Sequence, residues 1–279
     1  METMETNLEK EPPQLSLKVM GVIDEAGPIL LKHFKTVLDV GYKKDEFDPV
    51  TIADKEADAF IRDRLRTLFP EDIIFSEENN TVPSEYAGRV WMVDPLNGTK
   101  SFIKGKDTFA VVIGLVENGV PVLGCMSVPA QNKLFSAEKG KGAFEKVGDK
   151  FERIHTSFVE AIEQSTLITR ESSSEVRPIE EKLNKIPFKN RIEGIAGAKV
   201  CQIARGDAEA HVNTNFRASK WDVAAPQVIL EEAGGVLTDI DGSPIDYKKD
   251  AVNLDRSYVA SANPALHEKI ISERRALKV

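Results

Sequence analysis

Cysteine is scarce in this sequence: Cys125 and Cys201 are the only two in 279 residues, far apart and in no CxxC pair. That excludes a disulfide framework or a thiolate zinc knuckle and points to a reducing compartment. Long apolar runs are missing too, and none approaches the ~20 residues a membrane-spanning helix needs. Positive charge is in deficit, with 37 Lys and Arg against 45 Asp and Glu, for a formal net charge of −8. A broad basic surface for a nucleic-acid polymer is therefore not expected, although local basic pockets stay open. The four histidines, His33, His155, His211 and His267, fall in no metal-ligand spacing and read as structural or surface residues. Residues 1–14 are polar and acidic, lack the apolar core of a signal peptide, and read as a disordered tail. The expectation is a cytoplasmic protein with no membrane attachment. There is chain enough for one large domain or two intimately packed ones.

What is present is a strong set of periodic segments. Leu15, Val19, Val22, Ile23, Ala26, Leu30, Leu31 and Phe34 form a helical stripe, which Pro28 should bend or split. Ala57, Phe60, Ile61, Leu65 and Leu68 mark a second helix, ended by Pro70 and opened by Thr51 with Asp54 three residues on, a capping-box pattern. Short apolar runs at 73–75, 90–93, 109–116, 121–127 and 133–136 read as strands of a largely antiparallel meander, with Asn118 and Gly119 as a hairpin turn. After about residue 157 the texture alternates. Strands are expected at 167–169, 208–212, 235–238 and 258–261, and helices at 174–185, 198–205, 222–233 and 264–273. The fold class is α/β, with an α+β N-terminal half at 15–156 and an α/β C-terminal half at 157–279 packed as one unit.

Acidic residues stand at the ends of four of these elements, and each has a plain reading. Asp54 caps a helix; Glu77 and Glu78 close a strand into solvent; Asp94 forms a turn before Pro95; Asp222 suits the first turn of an apolar helix. Their combination says more. Carboxylates from separate elements, converging on one cleft, supply the oxygen ligands that Mg²⁺ takes while it keeps waters and substrate phosphate oxygens. Gly98 and Thr99 then offer close backbone approach and N–H groups to an oxyanion, above all if a helix starts there.

The segments "DPVTIAD", "FSEE", "WMVDPLNGTKSF" and "WDVAAPQVILEEAGG", in this order and at this spacing, closely resemble the inositol monophosphatase superfamily of metal-dependent, lithium-sensitive phosphatases. The likeness spans residues 48–235. It implies a layered αβαβα sandwich of the sugar-phosphatase type, two to three Mg²⁺ ions, inhibition by Li⁺ and a small phosphorylated metabolite as substrate. It also implies homodimers, of which these residues give no sign. By the resemblance, Glu77 holds the first metal and reaches a third, Asp94 bridges metals one and two, and the Leu96 carbonyl binds metal one. Asp222 binds metal two, and Asp54 helps hold the third through its water shell. Thr99 and Glu77 orient a water for in-line attack on phosphorus, with no phosphoenzyme. Asn97, Gly98, Thr99 and Asp222 border the substrate.

Substrate choice within that superfamily lies between bisphosphate nucleotides, inositol phosphates, fructose 1,6-bisphosphate and histidinol phosphate. Lys100 after Thr99, the "SEE" form and "AGAKVCQIARG" are similar to the 3′(2′),5′-bisphosphate nucleotidases. There Lys199 would meet a second phosphate, although Ala196 stands where that branch often has serine; a solvated Lys199 is the plain alternative. Asn97 replaces a family aspartate on metal two. It keeps an oxygen but loses a charge, so the second metal should bind more weakly and turnover should fall further than binding. A substitution introduced to trap a ligand is the preferred explanation. A natural low-activity or binding-only member and an error in the sequence stay open.

Overall fold

The computed structural model describes residues 11–37, 40–42, 49–79, 88–170, 178–195, 197–213, 218–248, 252–254 and 257–277. Of the expected tail, residues 1–10 lie outside these, and Gln14 already belongs to the first helix. Helix α1 (Gln14–His33) buries Val19, Val22, Ile23, Ala26 and Leu30 of the expected stripe, while Leu31 turns out to be exposed. It runs through Pro28 as one helix and is not split. One missing backbone hydrogen bond costs less than the burial of Ile23, Ala26 and Leu30 on either side of it returns. A short ribbon of β1 (Gly41–Tyr42) and β2 (Pro49–Val50) leads into α2 (Ile52–Leu68).

The next strands are β3 (Ile73–Ser76) and β4 (Arg89–Asn97), followed by the short helix α3 (Thr99–Ile103). Then come β5 (Ala110–Glu117), β6 (Val120–Val128), β7 (Lys133–Glu138), β8 (Gly142–Val147) and β9 (Lys150–Ile154). These strands form a seven-stranded sheet in chain order, antiparallel except for the parallel β3–β4 pair. The expected hairpin turn joins β5 to β6, with positive φ at both Asn118 (51°) and Gly119 (82°), as a type I′ turn demands.

The later elements are β10 (Thr166–Thr169), α4 (Pro178–Leu183), β11 (Asn190–Glu193), α5 (Lys199–Ala204), β12 (Ala210–Val212), α6 (Lys220–Glu232), β13 (Val236–Asp239), β14 (Tyr258–Ser261) and α7 (Pro264–Ala276). The first residues of the helix expected at 174–185 lie outside the described set. The five strands form a second sheet in the order β11-β10-β12-β14-β13, parallel among the first three and antiparallel beyond.

The layers follow from what packs on what. Helices α1 and α2 cover one face of the seven-stranded sheet, α6 and α5 lie between the two sheets, and α4 and α7 cover the far side. The result is an α/β sandwich in the order αβαβα. α6 sits almost backbone to backbone on β5 and β6: a Cβ added at Gly124 would fall 2.2 Å from the Ala225 carbonyl oxygen, and one at Gly114 would fall 2.9 Å from the Ala225 nitrogen. Small residues on both surfaces, Gly114 and Gly124 against Ala224 and Ala225, permit this approach. No helix among the described residues is long and apolar enough to cross a membrane.

Candidate active site

β4 carries the centre of the site. Its apolar residues Val90, Trp91, Met92 and Val93 are buried, which fixes the strand between β3 and β5 and leaves Asp94 buried at its end. Pairing with β5 is regular up to Asp94 and slips before Asn97. This irregularity turns the chain: the Leu96 N–H donates to Asp94 Oδ1 at 3.0 Å, and Gly98 takes a left-handed conformation (φ 89°) that a side chain would strain. Helix α3 then starts at Thr99, the start on which the oxyanion reading depended. Glu77 follows β3 directly, and its N–H donates to the Val93 carbonyl at 3.0 Å, holding it beside the end of β4.

Two helix N-termini bring the remaining carboxylates. At α2 the capping box is real: Asp54 Oδ2 accepts from the Thr51 N–H at 2.8 Å and from Thr51 Oγ1 at 2.6 Å. Its other oxygen accepts from Thr99 Oγ1 at 3.3 Å. Asp54 thus caps α2 with one oxygen and faces Thr99 with the other. At α6 the same division holds. Asp222 Oδ2 accepts from the Ser219 N–H at 2.6 Å, while Oδ1 accepts from Asn97 Nδ2 at 2.9 Å. Asn97 Nδ2 also donates to Asp94 Oδ2 at 2.7 Å. Thr99 Oγ1 lies 3.1 Å from the Leu96 carbonyl.

Crowding of this kind has an electrostatic signature. The Asp94 carboxyl is held well above the usual carboxylate range, first by burial and then by Glu77 and Asp222. Burial, and then Glu77, push Asp222 up to about 7. Three carboxylates in a dry corner repel one another unless a proton, a hydrogen-bond donor or a cation stands between them. Thus Glu77, Asp94, Asn97, Gly98, Thr99, Asp222, Asp54 and the Leu96 carbonyl come together at one place. No group of three His, Cys, Asp or Glu side chains among the described residues forms a ready-made cation cage.

Lys199, the first residue of α5, stands two residues from Gly197. A Cβ at Gly197 would lie 2.8 Å from Asn97 Oδ1. Burial lowers the pKa of Lys199, which forms no ion pair or hydrogen bond with another described residue. Its charge also helps hold His211 neutral, with a pKa pushed down to about 3 mainly by burial. Ala196, the departure from the nucleotidase pattern, lies outside the described residues. His33 bonds Glu56 at 2.8 Å, His211 the Ile168 carbonyl at 2.9 Å, and His267 Thr238 and Ser261 at 2.9 and 3.0 Å; His155 is exposed.

Several supports escaped the sequence reading. Ser76, just before Glu77, donates to buried Asp58, which Arg62 also binds at 2.7 Å. Asp58 lies one helical turn after Asp54, and that spacing was the available signal. Lys220, fully buried, donates to the Tyr247 carbonyl at 3.1 Å and anchors the start of α6. Ser219 and Asp222 repeat the spacing of Thr51 and Asp54, so this second capped end could have been seen.

A profile of the inositol monophosphatase family matches residues 14–278. The chain belongs to the inositol monophosphatase family. It is 33% identical over 267 residues to the histidinol-phosphatase of Chlorobaculum parvum, covering 93% of this chain and 96% of the relative. It is 31% identical over 250 residues to the fructose-1,6-bisphosphatase/inositol-1-monophosphatase of Thermotoga maritima, covering 90% and 91%. Among solved structures, the Thermotoga maritima IMPase superposes with a TM-score of 0.79 at 28% identity, covering 95% of this chain and 98% of that one. As a member of the inositol monophosphatase family, the chain is a phosphatase of the kind that hydrolyses phosphomonoesters.

Proposed function

We propose that this phosphatase is Mg²⁺-dependent and acts on a substrate with two phosphates, a 3′(2′),5′-bisphosphate nucleotide such as 3′-phosphoadenosine 5′-phosphate. Lys199 carries this reading: a half-buried cation without a counter-ion among the described residues, two residues from a glycine packed on Asn97. Burying an unpaired ammonium is costly, and a phosphate of the ligand would offset that cost.

The donor set suits a hard divalent cation at one position. Glu77, Asp94 and the Leu96 carbonyl offer oxygen only, the donor type such an ion takes. When bound there, such an ion draws electron density from the phosphoryl oxygens and makes a water more acidic. Thr99 gives its hydroxyl proton to Asp54 or to the Leu96 carbonyl, which leaves its oxygen lone pairs free to accept from a water. Glu77, across the corner, is the base for that water's proton. Gly98 lets the chain turn so that the Thr99 N–H at the start of α3 would meet a phosphoryl oxygen. At the second position, between Asp94 and Asp222, the side chain present is a hydrogen-bond donor. This favours a second reading, a protein that holds its phosphorylated ligand and turns it over slowly.

Phosphate release with Mg²⁺ should be followed for this chain and Asn97→Asp on 3′-phosphoadenosine 5′-phosphate, inositol 1-phosphate, fructose 1,6-bisphosphate and histidinol phosphate. The nucleotide should give the highest kcat/KM. Lys199→Ala should raise its KM roughly 10- to 100-fold, the worth of a charge-assisted hydrogen bond, and spare inositol 1-phosphate. A clear preference for inositol 1-phosphate overturns the nucleotide assignment. Failure of both chains on all four overturns the enzyme assignment.

A further inference from the structure

The side chain that departs from the family pattern is bonded on both sides of the cleft. Both hydrogens of the Asn97 amide are used, one on Asp94 Oδ2 at 2.7 Å and one on Asp222 Oδ1 at 2.9 Å. Asn97 and Asp222 are 125 residues apart in sequence, so the amide is a cross-link between β4 and α6. Its orientation is dictated by chemistry: Asp222 Oδ2 is already taken by the Ser219 N–H and Asp94 Oδ1 by the Leu96 N–H, so the facing oxygens seek donors. The amide oxygen turns the other way, toward Gly197, where a Cβ would be only 2.8 Å from it. Swinging that oxygen toward the carboxylates would set three acceptors against one another and leave both amide hydrogens without them.

We infer that Asn97 is an internal substitute for a cation: its amide clasps Asp94 and Asp222, closes the second metal position and makes the fold of the site independent of metal there. This rests on the reading of Asp94 and Asp222 as the walls of that position. A cation and the clasp exclude each other, because each neutralises the same pair of oxygens. An aspartate at residue 97 would do the opposite, removing the donor and adding a third carboxylate that a cation would hold. The chain then trades metal-dependent chemistry at this position for a joint between the two halves of the cleft that needs no ion.

The test counts ions and measures stability, without reference to turnover. Mn²⁺ serves as the probe, by calorimetric titration and by the loss of its free electron-spin resonance signal. Asn97→Asp should bind one ion more than the parent at equal free Mn²⁺, and the extra site should be at least about tenfold tighter than any counterpart in the parent, in line with typical ligand effects. In EDTA the parent should keep its Tm, while Asn97→Asp and Asn97→Ala should melt lower, and Mn²⁺ should restore Asn97→Asp. Equal ion counts and affinities in parent and Asn97→Asp, with equal Tm in EDTA, overturn the clasp while leaving the phosphatase assignment intact. Absence of Mn²⁺ binding in both chains overturns the metal-site reading, and the clasp as a substitute for a cation falls with it.

Discussion

Asp54 and Asp222 are both the third residue of their helices, α2 and α6, and each gives one oxygen to the N–H of its cap residue, at 2.8 and 2.6 Å. The second oxygens part company. That of Asp54 meets a hydroxyl, Thr99, at a loose 3.3 Å; that of Asp222 meets an amide at 2.9 Å which is itself tied to Asp94. A hydroxyl can both give and accept, so the α2 end can pass a hydrogen bond to a water. The nitrogen of an amide only gives, so the α6 end is closed. Helix capping therefore supplies the same rigid carboxylate twice, and the residue that faces it decides whether its second oxygen meets a hydroxyl or an amide.

The largest effect expected from this contrast is on turnover. Thr99→Ala should lower kcat by about 10²–10⁴, the usual share of a group that positions or moves a proton, with little change in Tm. Were kcat to stay within a few-fold of the parent, the α2 end would have no advantage over the α6 end. Next comes a perturbation that touches neither end. His211, packed against Tyr258 and near Lys199, has a pKa pushed down to about 3, and burial takes His267 down to about 4. The unfolded chain takes up these protons near pH 6.5, so between that pH and about 4 it binds more protons than the folded one. The histidine contribution to stability is thus full above pH 6.5 and lost as pH falls through the window, against the opposite contribution of the raised Asp94 and Asp222 carboxyls. His211 alone should cost about 1.4 kcal/mol per pH unit there. Urea midpoints at pH 7.5 and 5.5 isolate it when parent and His211→Asn are compared: the variant should lose less stability, or gain more, on going to pH 5.5 than the parent.

The smallest effect separates the two caps. Thr51→Ala and Ser219→Ala should each cost about 1 kcal/mol, or roughly 2–4 °C in Tm. Only the first should also lower kcat, because Thr51 Oγ1 holds Asp54 itself at 2.6 Å, whereas the Ser219 hydroxyl bonds Asn253 at 3.1 Å. Equal kcat losses in the two variants would mean that both ends share one function.

How much of this was legible in the sequence depends on distance along the chain. Thr51 and Asp54 are three residues apart, and their local pattern announced the cap; β4 and the turn at Gly98 followed from an apolar run that ends at Asp94. Strands β8 and β9 were missed, since "GAFEKVGDKFERI" is interrupted by charge and only pairing with β7 buries Ala143 and Phe144. Pro28 misled in the other direction, because packing on the sheet outweighed a local rule. The missing charge at Asn97 could be read from its neighbours. The direction of its amide could not, for that is set by Asp222, which only the packing of α6 on β5 and β6 brings near.

That packing also sets a clock on the site. The hollow that Gly114 and Gly124 leave on the seven-stranded sheet has one cover, α6, and Asp222 arrives with it. A nascent chain that has not yet released residues through Glu232 holds Glu77 and Asp94 with no opposite wall, and the exposed face of β5 and β6 is apolar. The chemistry therefore waits for residues up to Glu232, long after the ribosome has made Glu77 and Asp94, and until then this apolar surface stands uncovered.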